Sequence, residues 1–450
     1  MLSHKAVLDM VMELRSAHEA ERNSLDMVRQ YWKGRQKLPA VIPSAAPAEV
    51  KRMARMSRVN VADIVVNSLA QSLFVDGFRL GGDGRAPSAD MAPQWGAWQA
   101  MRYDKWQSGV HRAATAYGHA YEIVLPGSSE PVIRGVSPRR MLAMYGDDPD
   151  WPLWALQSVG NDTFVLYDDT HRYWVSLAGR PEFVQSGVHG AGVVPVVRFT
   201  DQVDLDDDDE APDAVSLGVV GPDNERITSG QVAPLFDLQD QIDLTTFNLL
   251  VAQHYGAFRQ RYILGWVAET EKQKMKAAAS QLWTFEDHPE TIKLGEFSQT
   301  DLAGYSNNRE NSLRYAATLS QTPVHELTGQ LINLSAEALA AAEAGKDRKV
   351  GERQTSFGES HEQKFQLVGV YTGKPVPNDS QVVWRDTSAR SFAATVDGLG
   401  KLAQMLNIPA QELWERVPGA TQQDILRWRQ AADQGDALSD FTRLLDAQAA

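Results

Sequence analysis

Not one of the 450 residues is a cysteine, which excludes disulfides, thiol catalysis and cysteine-ligated metal. Such a chain suits a reducing compartment. No run of about eighteen apolar residues occurs, so no membrane-spanning helix is predicted. The first ten residues lack the basic-then-apolar order of a secretory leader. Positive charge is scarce. There are 44 Lys and Arg against 58 Asp and Glu, a formal net charge of −14. That argues against a general nucleic-acid coat, because phosphate binding needs clustered cations. It is compatible with a protein that nucleic acid passes without adhering.

What the chain does have is an ordinary globular balance, 43% hydrophobic and 23% charged, over a length that suits two to four domains. Nothing in it reads as an active site. The acids Asp206, Asp207, Asp208, Asp209 and Glu210 are consecutive and cannot converge on one ion without a glycine turn, so they read as a solvated loop. Asp237, Asp240 and Asp243 share one helical face, but no Glu-x-x-His partner accompanies them. They read as a solvated or channel-facing stripe. Gly345-Lys346 lacks both the earlier glycine and the following Ser or Thr of a phosphate loop. His325-Glu326 lacks the second histidine of a zinc site. No cofactor and no metal are expected. The group Trp95, Trp98, Arg102, Trp106, His111 and Arg112 could be a stacking platform for bases, but its spacing suits a core stripe better.

Periodicity predicts a helix over 4–32, an irregular arm marked by Pro39, Pro43 and Pro47, and a helix over 48–74. A short strand at 75–80 and helices over 91–103 and 104–118 follow. From 119 to 200 the texture changes to β-branched and aromatic runs at 120–125, 132–136, 154–159, 163–167, 173–177 and 193–199, an antiparallel β patch. An acidic break covers 201–213. Helices are predicted at about 229–258, 268–281 and 299–320, then a loop at 322–334, a helix over 335–371, a strand at 381–385 and a helical tail. The fold class is α+β, mostly α.

The long helix is the unusual element. From Glu343 to Lys364 its only large apolar residues are Val350 and Phe357, with Phe365 just beyond. So polar a helix must bridge, self-associate or find partners elsewhere. The near-heptad spacing of Val350, Phe357 and Phe365 predicts a thin seam against helices of neighbouring subunits.

Several short motifs run in a recognisable order. They are Tyr31-Trp32-x-Gly34-x-Gln36-x-Leu38-Pro39, then Asn60 to Asn67 leading into Leu73-Phe74-Val75-Asp76-Gly77-Phe78, then Ala116-Tyr117-Gly118-His119-Ala120-Tyr121. Gly192 to Phe199 precedes the acidic loop, and Leu331 to Leu339 contains Ser335-Ala336-Glu337-Ala338. With the polar helix, this set resembles the portal proteins of tailed bacteriophages, in particular the long-tailed actinobacterial type. The resemblance implies a portal fold with wing, stem, clip and crown. Its segments would be 1–225 wing, 226–258 stem helix, 259–298 clip, 299–321 second stem helix, 322–334 tunnel loop, 335–389 long helix with a returning wing strand, and 390–450 crown. It implies a ring, usually of twelve copies, at one capsid vertex of the virion, assembled in the host cytoplasm. Double-stranded DNA would enter and leave through it.

On that resemblance the tunnel loop is Thr322, Pro323, Val324, His325, Glu326 and Leu327, with steric rather than cationic contact to DNA. Asp237, Asp240 and Asp243 would face the channel. Arg259, Arg261, Trp266, Trp283 and Phe285 would dock partners. Implied partners are the terminase packaging motor, a head–tail adaptor, and capsid and scaffold proteins, with no membrane. The protein would not be an enzyme. Two other classes compete: a scaffold-like adaptor whose polar helix pairs with a partner protein, and a metal-dependent hydrolase built on the Asp-rich helix.

Overall fold

The computed structural model describes residues 2–38, 42–81, 92–160, 162–202, 219–220, 226–227, 230–256, 261–264, 293–296, 301–330, 336–387, 392–417, 419–420, 423–432 and 434. Two compact units are present. One comprises 1–36, 60–239 and 314–450, and the other 37–59 and 240–313.

The first unit opens with α1 (His4–Trp32), capped by Ser3, whose hydroxyl accepts from Ala6 N–H at 3.2 Å. The buried face of α1 carries Val7, Val11 and Leu14, then Leu25, Val28 and Trp32. α1 ends where Gly34 turns left-handed at φ +62°, and Asn60 Nδ2 donates to the Trp32 carbonyl at 3.0 Å. The expected helix over 48–74 is two helices, α2 (Ala48–Met56) in the second unit and α3 (Val61–Ala70) in the first. The break falls at Asn60, whose side chain accepts from Asp63 N–H and starts α3 afresh. α4 (Trp95–Ala100) and α5 (Asp104–Tyr117) follow β1 (Val75–Arg79).

The β patch is two antiparallel sheets. The three-stranded sheet has the order β3 (Val132–Val136), β2 (His119–Leu125), β9 (Val196–Thr200). The five-stranded meander runs β4 (Met141–Met144), β5 (Trp154–Ser158), β6 (Thr163–Tyr167), β7 (His171–Ser176) and β8 (Glu182–Val188). The N-terminal half of α1 packs with the meander in one core through Val7, Val11 and Leu14. Pattern reading misses β4 and β8. β8 has no buried face, and β4 is only four residues long.

The remaining described strands are β10 (Val219–Val220) with β11 (Arg226–Ile227), β12 (Arg261–Leu264) with β13 (Lys293–Glu296), and β14 (Gln381–Trp384), which pairs with β1. The remaining described α-helices are α6 (Phe236–Gly256), α7 (Ala303–Ser320), α8 (Val324–Thr328), α9 (Ala336–Thr372), α10 (Phe392–Leu406) and α11 (Ala410–Leu413). The segment expected to be a plain loop after α7 therefore contains a helical turn, closed by Gly329 at φ +68°.

The long helix α9 corrects the expected inter-subunit seam. Val350, Phe357 and Phe365 are buried in this chain's own core, with Phe78, Trp98, Tyr103 and Phe199. Phe365 stacks on Phe78 at 4.1 Å between ring centroids. The face that enters this core is Arg353, Phe357, His361, Lys364, Phe365 and Val368, spaced at helical period, with cations and apolar groups on one stripe. The helix is polar because its buried partners are polar. β9 is the edge strand of its sheet, so the carbonyls of Arg198 and Thr200 face away from β2's ladder. Ser360 Oγ donates to the Arg198 carbonyl at 2.8 Å and Ser356 Oγ to that of Thr200 at 2.7 Å. α9 thus covers a sheet edge that would otherwise be open to strand addition.

Candidate functional site

Two arrangements concentrate the chain's polar chemistry: the clasp between α8 and the first turns of α9, and a buried chain of charges further along α9.

In the clasp, Pro323 precedes α8, and the segment leading into it is sunk in the protein. Thr322 and Pro323 are buried, with Ser320 Oγ donating to Thr322 Oγ1 at 2.9 Å. Leu327 is also buried, which removes it from the expected steric contacts, since an apolar side chain on a one-turn helix turns inward where a core is available. Val324 is exposed at 41%, and His325 and Glu326 are half-buried. Glu326 Oε1 accepts from Lys346 Nζ at 2.7 Å, and His325 Nε2 lies 3.8 Å from Glu343 Oε1. Sequence reasoning finds no cation between Gln321 and Ala342. The structure supplies one from Lys346, twenty residues downstream of Glu326.

Lys346 sets the outcome of a charge reversal. Glu326→Lys places two cations together on partly buried stems. It should destabilise by about 1–2 kcal/mol, whereas Glu326→Gln should cost about 0.5–1 kcal/mol because only one ion pair is lost. Thermal melts of the two variants test this. Equal melting temperatures would mean that Lys346 does not hold α8.

The acid stripe on α6 does not act as one surface. Asp237 is exposed and Asp240 half-buried, while Asp243 is fully buried and accepts from Val59 N–H at 3.0 Å. Asp243 is therefore a structural anchor, not a channel-facing acid, because a carboxylate out of water must be paired. Of the expected docking residues, Arg261 lies on β12, in register with Glu296 on β13. Arg259, Trp266, Trp283 and Phe285 lie outside the described residues, as do Asp206 to Glu210. In the tryptophan group, Trp98 and His111 are fully buried and Trp106 is 57% exposed, so core packing accounts for the first two.

The buried chain begins at Tyr103. Its hydroxyl donates to Glu122 Oε1 at 2.6 Å, and Lys364 Nζ lies 3.0 Å from Glu122 Oε2, with both Lys364 and Glu122 at 0% exposure. Lys364 Nζ also reaches His361 Nδ1 at 2.6 Å, His361 Nε2 reaches His111 Nε2 at 2.9 Å, and His111 Nδ1 reaches the Leu73 carbonyl at 2.9 Å.

These contacts fix every proton. A carbonyl only accepts, so His111 Nδ1 carries hydrogen and its Nε2 accepts. His361 must then donate from Nε2 and accept at Nδ1 from the ammonium. Burial lowers both imidazoles, His111 to about 3, and the Lys364 charge reinforces this. Burial also lowers Lys364, to about 8 against the pull of Glu122, so it remains an ammonium at neutral pH. The rings of Trp98 and Tyr103 flank it at 4.3 and 4.8 Å.

A second buried pair lies nearer the N-terminal end of α9. Arg353 donates to both oxygens of Asp201, at 3.3 Å from Nε and 3.2 Å from Nη2. Gln231 Nε2 donates to Asp201 Oδ2 at 2.5 Å, and Lys349 reaches the Ser320 carbonyl at 2.7 Å. Burial raises Asp201 and the Arg353 guanidinium opposes it. None of this carries out a reaction. It fixes a 37-residue helix to a sheet and, through the clasp, fixes α8 to that helix.

A family model described as "Phage portal protein, SPP1 Gp6-like" matches residues 13–437. The chain belongs to this portal family. The portal protein of Mycobacterium phage D29 is 26% identical over 415 residues, covering 87% of this chain and 81% of that relative. The portal protein of Mycobacterium phage L5 is 25% identical over 420 residues, with the same coverage of each. Among solved structures, a chain from the virion of a native gene transfer agent particle aligns with a TM-score of 0.50. Its identity is 12%, over 85% of this chain and 97% of that one, a likeness of fold. Portal proteins are structural components of the virion and not enzymes. That suits a site made of clasps and buried ion pairs.

Proposed function

We propose that this portal protein assembles as a closed ring, of about twelve copies on the resemblance, at one capsid vertex. Double-stranded DNA is packaged and later ejected through the ring's channel. The observation that carries the reading is the family match along residues 13–437. In this reading 1–225 and β14 are wing, 226–258 and 299–321 stem, 259–298 clip, 322–334 tunnel loop and 390–450 crown. Val324, His325 and Glu326 are the tunnel-loop groups that reach the channel, held there by α9, and Asp237 is a channel-facing acid. A formal charge of −14 per copy keeps passing phosphates from adhering. Closed cyclic symmetry requires that two different surfaces meet around the ring. The clip, with Arg259, Arg261, Trp266, Trp283 and Phe285, docks a separate terminase motor and afterwards the head–tail adaptor. Assembly takes place in the host cytoplasm with capsid and scaffold proteins.

The adaptor reading depended on a polar helix without partners in its own chain. α9 has them in Asp201, Glu122 and the edge of β9. The hydrolase reading depended on convergent acids, and Asp243 is occupied by Val59 N–H. Negative-stain imaging with mass photometry of the purified protein tests the ring. The expected result is a ring with a through-hole. A particle that stays monomeric with scaffold and capsid protein present would sink the reading.

A further inference from the structure

The arm 37–59 reverses the sign of the chain. It carries Lys37, Lys51, Arg52, Arg55 and Arg58 against one acid, Glu49, in a protein with a net charge of −14. All five cations are exposed, and none is ion-paired among the described residues. Its described stretch from 42 to 59 is folded. Ala46 N–H donates to the Pro43 carbonyl, Pro47 leads into α2, and Lys51 Nζ donates back to the Ser44 carbonyl at 2.6 Å. This folding leaves an open cavity of about 390 Å³ beside α2. Lys37, Lys51, Arg55 and Arg58 line it, over an apolar lining that includes Leu38 and Ile42. Lys51 and Arg55 stand one helical turn apart, about 6 Å along the axis, and Arg58 follows just past the helix end. Glu49 is about 200° around the helix from Lys51, on the other side. The buried Asp243, in the same unit, is engaged by Val59 N–H.

We propose that this cavity docks the phosphate backbone of double-stranded DNA without regard to base sequence. Two guanidinium forks and two ammonium groups suit phosphate oxygens. Among the described residues the lining holds no aromatic ring on which an unpaired base could stack, which disfavours single strands. It also offers few neutral polar side chains to read base edges or to satisfy the amides of an acidic peptide. Contacts of this kind position a duplex and carry no sequence information. The inference rests on the portal reading only for the presence of DNA, and the ring has no part in the binding itself.

Fluorescence anisotropy of a mixed-sequence 30-base-pair duplex, titrated with the full-length protein at several salt concentrations, tests it. The expected result is binding at low salt. In K51Q/R55Q/R58Q the affinity should fall at least about tenfold, and the slope of log affinity against log salt should shrink by about 2.7, for three lost phosphate contacts. The control K5Q/K105Q/K374Q removes as many exposed cations elsewhere and should keep the wild-type slope. Three results would overturn the site: no duplex binding at low salt, an unchanged slope in K51Q/R55Q/R58Q, or an equal loss in the control. Poly-glutamate that displaces the duplex at equal charge concentration would reassign the cavity to an acidic protein partner. Imaging of the same samples separates the two claims. Rings that bind no duplex refute this site alone, and protein that binds it but stays monomeric even with scaffold and capsid protein present refutes the ring alone.

Discussion

Replacing Lys364 with methionine should cost about 3–5 kcal/mol of stability, more than any surface change in this protein. Methionine fills most of the lysine's volume, so the loss comes from charge and not from a cavity. It leaves the Glu122 carboxylate at 0% exposure with only the Tyr103 hydroxyl to face it, and leaves His361 Nδ1 without a donor. The companion change Glu122→Gln should recover much of the loss in the double variant, because it removes the stranded charge. Urea unfolding followed by tryptophan emission, at one fixed protein concentration, gives both numbers. A loss under 1 kcal/mol for Lys364→Met would mean that the pair is not held as an ion pair in the core.

The second large effect is with acid. His111 has a folded pKa of about 3 against an ordinary value of 6.5, and His361 is shifted the same way. Between those values the unfolded chain binds more protons than the folded one, so stability falls as pH drops below 6.5. At pH 5 the deficit from His111 alone is about 2 kcal/mol. His361 adds to it, although the two rings share one contact and will not titrate independently. Unfolding at pH 7 and pH 5, in wild type and in His111→Gln, checks this. The glutamine amide can still donate toward Leu73 but does not titrate, so the variant should lose less between the two pH values. Identical pH dependence in both proteins would refute neutral burial of His111.

These effects sit in the part of the fold that local sequence shows least. Helices with one apolar face, such as α1, and strands with period-two burial, such as β7, follow from their own residues. The core stripe of α9 mixes Arg353, His361 and Lys364 with Phe357 and Phe365, and an apolar pattern reads only the phenylalanines. The missing signal was the helical spacing of the cations with the aromatics. Their partners, Asp201 and Glu122, lie 152 and 242 residues away, and Asp201 opens a run of acids that reads as solvated. The tunnel-loop stretch was placed from motif order. That Lys346 neutralises Glu326 there was not legible, because the pair spans two helices.

The pairing of β1 with β14 joins residues about 300 apart, and α9 enters the same core beside Phe78. A ribosome that has released β1, α4 and α5 has exposed Phe78, Trp98 and Tyr103 before α9 and β14, which complete their core, are made. At about 5–20 residues per second, the covering helix and strand are complete roughly 13–53 s later. Through that interval the nascent chain carries an incompletely covered aromatic surface and a two-stranded site with one strand missing. This part of the protein therefore closes only near the end of synthesis, and a truncation before Thr372 should be recovered as aggregate or chaperone-bound chain.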